Sequence, residues 1–309
     1  MQSRYLITGG AGFIGSHLRA YLAERHIPCR AAVRRPDNGI GDAAAVGEIN
    51  GATDWTSALA GIDTVVHLAA RVHVLRDEAL DPLAEFRRVN VEGTARLAGQ
   101  AAAAGVRRFV LMSTIKVLGE ETFARPFGPA DLPAPVDPYA VSKLEAEEAL
   151  LRVARDTGME AVILRPPLVY GKGVGGNFAR LVGLVRRGWF LPLGSVRNRR
   201  SLVGVENLCS LITVCLVHPA AANQVFLVSD GQDLSTPELI RAIALACGKR
   251  PRLLPLPVFL LHLLAKIIGR EMEVRRLTGS LWVDSSLTRS LLDWSPPVTV
   301  GQEIRRSVH

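Results

Sequence analysis

In the first half of the chain, apolar residues fall in short unbroken runs separated by glycine- and proline-rich breaks. Tyr5 to Thr8 is a β-prone run that feeds a glycine cluster, and an amphipathic pattern of helical period starts at Phe13 and runs to about His26. Pro28 to Val33 predicts a second strand. A loop rich in Gly, Asn, Asp and Pro follows, then a short third strand at Val46-Gly47-Glu48-Ile49. Trp55 to Leu59 suits a helix, and Thr64 to Ala69 is apolar almost without interruption, the pattern of a parallel strand covered on both faces. One long helix is expected from Leu80 to Ala104, stopped by Gly105. Arg108 to Ser113 reads as the next strand. After a proline-rich loop from Arg125 to Pro138, Asp137 can N-cap a helix whose first position is Pro138. Ala161 to Leu164 is one more buried strand. Such alternation predicts an α/β fold with a doubly wound parallel sheet and right-handed crossovers.

Beyond Arg165-Pro166-Pro167 the alternation degrades into segments punctuated by Gly and Pro, two apolar helical stretches and a short tail. The expected division is a cofactor-binding domain over 1–165 and a smaller α/β substrate-binding part over 166–309. No internal repeat or low-complexity segment interrupts it.

The glycine cluster is the first candidate for chemistry. Thr8-Gly9-Gly10-Ala11-Gly12-Phe13-Ile14-Gly15 sits between a strand and a helix, the context that a dinucleotide fingerprint of the Rossmann type requires. Glycines allow a tight turn and a close approach of backbone N–H groups to a pyrophosphate, toward which the helix N-terminus points its positive end. Two spacings fit: Gly10-x-Gly12-x-x-Gly15 and Gly9-x-x-Gly12-x-x-Gly15.

Composition narrows the remaining classes. The chain has 309 residues, 48% hydrophobic and 21% charged, as in ordinary globular proteins. Its net charge of +8 comes from 37 basic and 29 acidic residues. Many arginines occur in pairs dispersed along the chain, such as Arg87-Arg88, Arg186-Arg187 and Arg305-Arg306, without the aromatic platform of a nucleic-acid binder. A small anion held by one or two arginines is expected instead, and no nucleic acid. Cys29, Cys209, Cys215 and Cys247 show no CxxC spacing and read as buried free thiols of a cytosolic protein. The seven histidines show no metal-ligand spacing, so no metal is expected. Met1 leads straight into the first strand, which predicts no signal peptide and a cytoplasmic location. The most apolar run, Leu253 to Ile268, is broken by Pro255 and Pro257 and carries His262 and Lys266. It is too short and interrupted for membrane insertion and suits a core or dimer-contacting helix.

Tyr139-Ala140-Val141-Ser142-Lys143 puts a phenol and an ammonium on one helix face, four residues apart. A tyrosine serves as acid or base near neutrality only if its pKa of about 10 falls. A lysine at ~4–5 Å supplies roughly 3–4 kcal/mol at an effective dielectric of about 20, or two to three pKa units. An isolated pair of this kind is usually solvated surface; the fingerprint upstream and the βα elements between give it a chemical reading.

Together, Thr8 to Gly15 and Tyr139-xxx-Lys143 resemble the extended short-chain dehydrogenase/reductases, the epimerase/dehydratase family of nucleotide-sugar enzymes, and the resemblance runs nearly the whole length. It implies a cofactor site of Gly9, Gly12, Phe13, Ile14 and Gly15, with Leu68, Ala69 and Ala70 of His67-Leu68-Ala69-Ala70 beside it. Asn90 of Asn90-Val91-Glu92-Gly93-Thr94 matches the family's helix motif. Glu48 and Ile49 are expected near the adenine, with Glu48 alternatively a solvated loop acid. Ser113-Thr114-Ile115-Lys116-Val117-Leu118-Gly119 matches the Ser/Thr-bearing strand end. Thr114 takes the catalytic hydroxyl position there, with Ser113 in reserve. Leu164-Arg165-Pro166-Pro167-Leu168-Val169-Tyr170-Gly171 resembles the stretch under the nicotinamide, which gives Pro166 a cofactor contact. Arg200 of Arg200-Ser201-Leu202-Val203 would hold the substrate diphosphate, and Asn177 falls where the family contacts the nucleotide sugar. By the same resemblance Tyr139 is the acid/base at a sugar oxygen. Lys143 tunes it and binds the nicotinamide ribose, and Thr114 shares the oxygen. The family also implies a homodimer through the helices around Arg88 to Ala104 and Tyr139 to Ala154.

Departures from the family refine the expectation. Sugar 4,6-dehydratases carry an Asp-Glu pair where this chain has Ile115 and Lys116, so elimination of water is not expected. Leu168 replaces a frequent asparagine, which removes one phosphate contact. Where an acidic residue about 20 positions after the glycine loop would select NAD(H), Ala32-Val33-Arg34-Arg35-Pro36 offers two guanidinium groups. NADP(H) is therefore favoured, with Arg34 the main contact and Arg35 the alternative; otherwise both are solvated and Asp37 reaches the ribose. The run Ser113 to Glu120 and the Asp284…Leu292-Asp293-Trp294-Ser295-Pro296-Pro297 ending resemble a bacterial surface-polysaccharide branch. That branch holds 4-keto reductases forming UDP-N-acetylquinovosamine, and UDP-sugar 4-epimerases. The expected reaction is 4-keto reduction of a UDP-4-keto-6-deoxy-N-acetylhexosamine, with Lys116 either near the substrate ketone or a solvated loop lysine. The alternative is 4-epimerisation of UDP-glucose or UDP-GlcNAc, and a non-catalytic cofactor sensor on the same fold is more remote.

Overall fold

The computed structural model describes residues 4–35, 39–72 and 81–308. In chain order the elements are β1 (Tyr5–Thr8), α1 (Phe13–Glu24), β2 (Cys29–Val33), β3 (Ala43–Ala45), α2 (Thr56–Leu59), β4 (Thr64–His67), α3 (Pro82–Arg87), α4 (Gly93–Ala103), β5 (Arg108–Met112), α5 (Pro138–Thr157) and β6 (Glu160–Arg165). There follow β7 (Leu168–Tyr170), α6 (Gly176–Arg186), β8 (Leu202–Gly204), α7 (Val205–Val217), β9 (Gln224–Leu227), α8 (Thr236–Ala246), α9 (Val258–Ile267), α10 (Glu271–Thr278), α11 (Ser286–Leu292) and α12 (Val300–Ser307). Seven strands form one parallel sheet in the order β3-β2-β1-β4-β5-β6-β9, and β7 pairs with β8 in a separate two-stranded ribbon. The order reverses between β1 and β4, which opens the crevice where such sheets take ligands.

Both faces of the sheet are covered, which is why its strands read as apolar runs. Tyr5, Ile7, Val66, Val110, Val162 and Leu164 point to the side where Leu18 and Leu22 of α1 meet Leu208, Leu211 and Ile212 of α7. Their neighbours Leu6, Val65, Phe109, Leu111 and Ile163 face the other side, against Leu97 and Ala101 of α4 and Leu150 of α5. A third core under the C-terminal part joins Tyr170, Phe178, Ile240, Ile243 and Ile304.

Several expectations need correction. The third strand is Ala43–Ala45, not Val46 to Ile49: Ala31, Ala32 and Val33 pair with these alanines, and Gly47 then turns the chain at φ 70°. The helix expected to run unbroken to Ala104 is divided by a π-turn over Arg88–Glu92; its expected start, Leu80, lies outside the described residues. The alternation also does not end at Arg165. After a two-stranded excursion the chain returns, and β9 pairs with β6 from Val162↔Gln224 to Arg165↔Leu227. On α9, within the apolar run read as a core or dimer-contacting helix, only Leu261 and Ala265 are buried.

Arg108, fully buried at the start of β5, locks this return in place. Its Nε donates to Glu160 Oε2 at 2.6 Å, and Nη1 donates to the carbonyls of Cys215 (2.7 Å) and His218 (2.9 Å) at the end of α7. One guanidinium thus satisfies carbonyls that the last helical turn leaves unpaired. Arg108→Leu is expected to lower stability by about 2–4 kcal/mol, because buried acceptors lose their donor. Urea unfolding should show a lower midpoint at unchanged slope, and a midpoint equal to the parent's would remove Arg108 from this role.

Candidate active site

The glycine loop closes β1 onto α1 at the switch point. Gly9 adopts φ 66°, and a Cβ there would lie 2.9 Å from the Ala69 nitrogen, so the loop packs directly on the segment after β4. Gly12 is the N-cap of α1, and its N–H donates to the Gly9 carbonyl at 2.9 Å. A Cβ on Gly15 would collide with that same carbonyl. Of the two spacings, Gly9-x-x-Gly12-x-x-Gly15 carries the turn, while Gly10 abuts the Ala31 side chain. Leu68, Ala69 and Ala70 are half-buried beside it, and Phe13 and Ile14 open the helix.

Behind the loop runs a buried chain of hydrogen bonds. Thr8 Oγ1 and His67 Nδ1 are 2.7 Å apart, His67 Nε2 and Thr94 Oγ1 3.1 Å, and the Thr94 hydroxyl donates to the Asn90 carbonyl at 2.6 Å. Since Thr94 spends its proton on a carbonyl, it accepts from His67 Nε2–H, and Nδ1 accepts from Thr8. Thr8 Oγ1 in turn accepts the Ala69 N–H at 3.1 Å. Burial, with the Lys143 charge nearby, pushes the His67 pKa down to about 3, so the ring is neutral at working pH. Asn90, presented by the π-turn, accepts from Arg71 N–H (2.8 Å) and donates to the Arg71 carbonyl (3.1 Å) and to Ser142 Oγ (2.9 Å). Ser142 completes the chain by donating to the Tyr139 carbonyl at 2.8 Å.

Asp137 caps α5 as expected, its carboxylate accepting from Ala140 N–H at 2.7 Å. Tyr139 lies in its first turn, half-buried, with the Phe86 ring edge-on at 6.1 Å. Its pKa is pushed up to about 12 by burial and by Asp137. Burial and the Asp137 carboxylate thus favour the protonated phenol, the opposite direction to the depression expected from Lys143. Lys143, 2% exposed, is itself lowered to about 8 by burial, against the opposing pull of Glu147. Thr114 caps a 3₁₀ turn over Ile115–Val117 at the end of β5. Ser113 is committed elsewhere: it donates to Glu147, whose carboxylate also accepts Arg165 Nε (3.0 Å) and Nη2 (2.5 Å) in a buried cluster. That leaves Thr114 as the hydroxyl at the strand end. Pro166 anchors the same turn, its carbonyl accepting the Ile115 N–H at 2.9 Å.

Other sequence candidates lie further out. Arg34 and Arg35 are exposed just past β2, and Asp37 lies outside the described residues. Glu48 is exposed, whereas Ile49 is half-buried and packs so close to α4 that a Cβ on Gly93 would come within 2.6 Å of it. Asn177 is exposed in the first turn of α6. Arg200 donates to the carbonyls of Arg276 (2.8 Å) and Gly279 (3.1 Å). Lys116 is held by Glu120 at 3.0 Å and by Asp137, an arrangement that turns its ammonium toward the α5 cap. Sequence reasoning missed Thr8, Thr94, Ser142 and Glu147. The first three lie inside the sequence motifs but were given no role, and Glu147 lies one helical turn beyond Lys143.

The sequence pattern of the NAD dependent epimerase/dehydratase family matches residues 5–229. The chain belongs to that family. This makes it an enzyme of the extended short-chain dehydrogenase/reductase type that uses NAD. A UDP-glucose 4-epimerase of Vibrio cholerae is 45% identical to this epimerase/dehydratase family member over 99% of its length and 95% of the relative's. A GDP-6-deoxy-D-mannose reductase of Pseudomonas aeruginosa is 28% identical over 99% and 96%. Among solved structures, MoeE5 in complex with UDP-glucose and NAD is 26% identical, with 99% and 97% covered and a TM-score of 0.78.

The neutral His67 carries a pH signature. Its folded pKa, about 3, lies below the ordinary 6.5, so the unfolded chain binds the extra proton between these values. The contribution is complete above pH 6.5 and is lost as pH falls toward 3. In His67→Gln, the acid-side slope of stability against pH should shrink by up to about 1.4 kcal/mol per pH unit. Urea titrations across that window check this, and identical slopes would mean the imidazole is not held neutral.

Proposed function

We propose that the protein is a UDP-sugar 4-epimerase that retains NAD through its cycle. The observation carrying this reading is the 45% identity, over nearly both full lengths, to a UDP-glucose 4-epimerase. It takes precedence over 4-keto reduction, the reaction expected from sequence. What still favours a reductase is the Arg34-Arg35 pair and the similarity to a GDP-6-deoxy-D-mannose reductase.

The residues present fit the dinucleotide. The loop from Gly9 to Gly15 has no room for side chains at Gly9 and Gly15, and the α1 N-terminus faces its mouth. When bound, the nicotinamide exchanges a hydride with the sugar carbon. Hydride departure from C4 must be matched by loss of the proton on its oxygen. Tyr139 Oη is the group to take and return that proton, with Thr114 hydrogen-bonded to the same oxygen. Its pKa of about 12 in the protein alone makes Tyr139 a proton holder. Conversion to a base requires positive charge nearby, and Lys143 is placed one helical turn away to supply it. With Tyr139 fixed on α5, inversion at C4 requires the 4-keto sugar to turn over before the hydride returns. Arg200 and Asn177 are proposed to hold the UDP during that turn.

The test is incubation with UDP-glucose and UDP-galactose, or their N-acetyl forms. Interconversion without net consumption of reduced cofactor is expected, and Tyr139→Phe should cost about 10²–10⁴-fold in turnover. Stoichiometric oxidation of NAD(P)H on a UDP-4-keto sugar, without interconversion, would restore the reductase. Ile115 and Lys116 provide no acid to protonate a leaving hydroxyl, so the same incubations should yield no 4-keto-6-deoxy product by mass.

A further inference from the structure

We infer that α9 is a docking face for an anionic lipid bilayer, holding the enzyme peripherally on a membrane surface. The helix is apolar on two opposite sides. Leu261 and Ala265, four residues apart, are buried against the body of the protein. Phe259, Leu263 and Ile267, also four apart, point away from it, and Phe259 and Ile267 are 70% and 74% exposed. Ile268 and, at the start of α10, Met272 extend this surface. Folded globular proteins rarely leave so many large side chains of one helix in water without a partner.

Charge selects the occupant. Between Lys249 and Arg276 the chain has seven Lys or Arg residues and two Glu. Lys266 and Arg270 are exposed beside the apolar stripe, and Arg250 and Arg252 are exposed in the segment leading into it. Arg252 lies over the exposed Phe190 ring at 5.1 Å, and backbone pairing of Leu191 with this segment sets Trp189 beside it. Exposed aromatic rings, aliphatic side chains and a basic rim are what a helix lying in a lipid headgroup layer requires. Two copies of this face paired about a twofold axis would bring the same basic rims together, which disfavours a second copy as the cover. No helix among the described residues is long and apolar enough to cross a membrane, so docking is at the surface.

The face is coupled to the site. His262 of α9 hydrogen-bonds Thr278 of α10 at 3.0 Å, and the carbonyls of Arg276 and Gly279 hold Arg200. A bilayer seated on α9 would therefore lie next to the substrate end of the molecule. This inference does not depend on which sugar reaction the enzyme performs.

The experiment is flotation of the full-length protein with vesicles of phosphatidylglycerol and phosphatidylethanolamine, compared with pure phosphatidylcholine. Binding to the anionic vesicles, weakened by added salt, is expected. Phe259→Ser/Ile267→Ser should reduce the bound fraction about tenfold or more, while its melting temperature and turnover of soluble UDP-sugar stay at parent values. Lys266→Glu/Arg270→Glu should remove the preference for anionic lipid. Absence of flotation, equal flotation of Phe259→Ser/Ile267→Ser, or a dimer in sedimentation that the same pair of substitutions dissociates would each overturn the inference.

Discussion

The site depends on one buried imidazole that stays neutral. His67 stands at the end of β4 with Thr8 on one nitrogen and Thr94 on the other, and through Thr94 and Asn90 it reaches Ser142 on α5. Three elements that meet nowhere else in sequence are thereby held to one another by directional bonds: the glycine-loop strand, the helix after the π-turn, and the helix bearing Tyr139. A charged ring would need an acceptor at both nitrogens, and Thr8 could no longer receive Ala69 while donating to Nδ1. Neutrality, together with the Thr94 bond to the Asn90 carbonyl, fixes the direction of the bonds at both ring nitrogens, and the cofactor loop and the tyrosine helix share one frame.

Along α5, structure and chemistry alternate at helical spacing. Asp137 caps the helix, Tyr139 and Lys143 occupy one face, Ser142 receives the Asn90 amide, and Glu147 anchors Ser113 and Arg165 behind them. Burial raises Tyr139 and lowers Lys143, so both are driven toward their uncharged forms. The Asp137 carboxylate that stabilises the helix also opposes ionisation of Tyr139, and Lys116 partly neutralises it. The lysine expected near the substrate thereby adjusts the electrostatics of the helix start.

The sheet was legible where strands are covered on both faces, because Tyr5 to Thr8 and Thr64 to His67 leave no polar alternation to mistake for helix. It failed at Ala43–Ala45, whose three small residues carry no β-branched signal and are recruited by pairing with β2. It failed again at β9, where Gln-Val-Phe-Leu is too short to declare itself without its neighbour β6. At the site, the glycines, Tyr139 and Lys143 stood out by spacing. The Asn90–Ser142 bond joins residues 52 apart and depends on a π-turn, a backbone irregularity that pattern reading does not reach. The motif alone prefers Thr114 to Ser113, and the bond from Ser113 to Glu147 was not legible in it.

The late return of β9 has a consequence for biosynthesis. Until residue 227 has been made, β6 is the open edge of the sheet, and until residue 217 has been made α7, which covers the apolar side chains of α1 and the central strands, is incomplete. Arg108 likewise waits for the carbonyls of Cys215 and His218. A nascent chain ending at residue 165 holds every proposed catalytic side chain yet has α1 without α7 over one face of its sheet. The family pattern ends at residue 229, two residues past β9. A ribosome must finish that span before the seven-stranded sheet has its last strand.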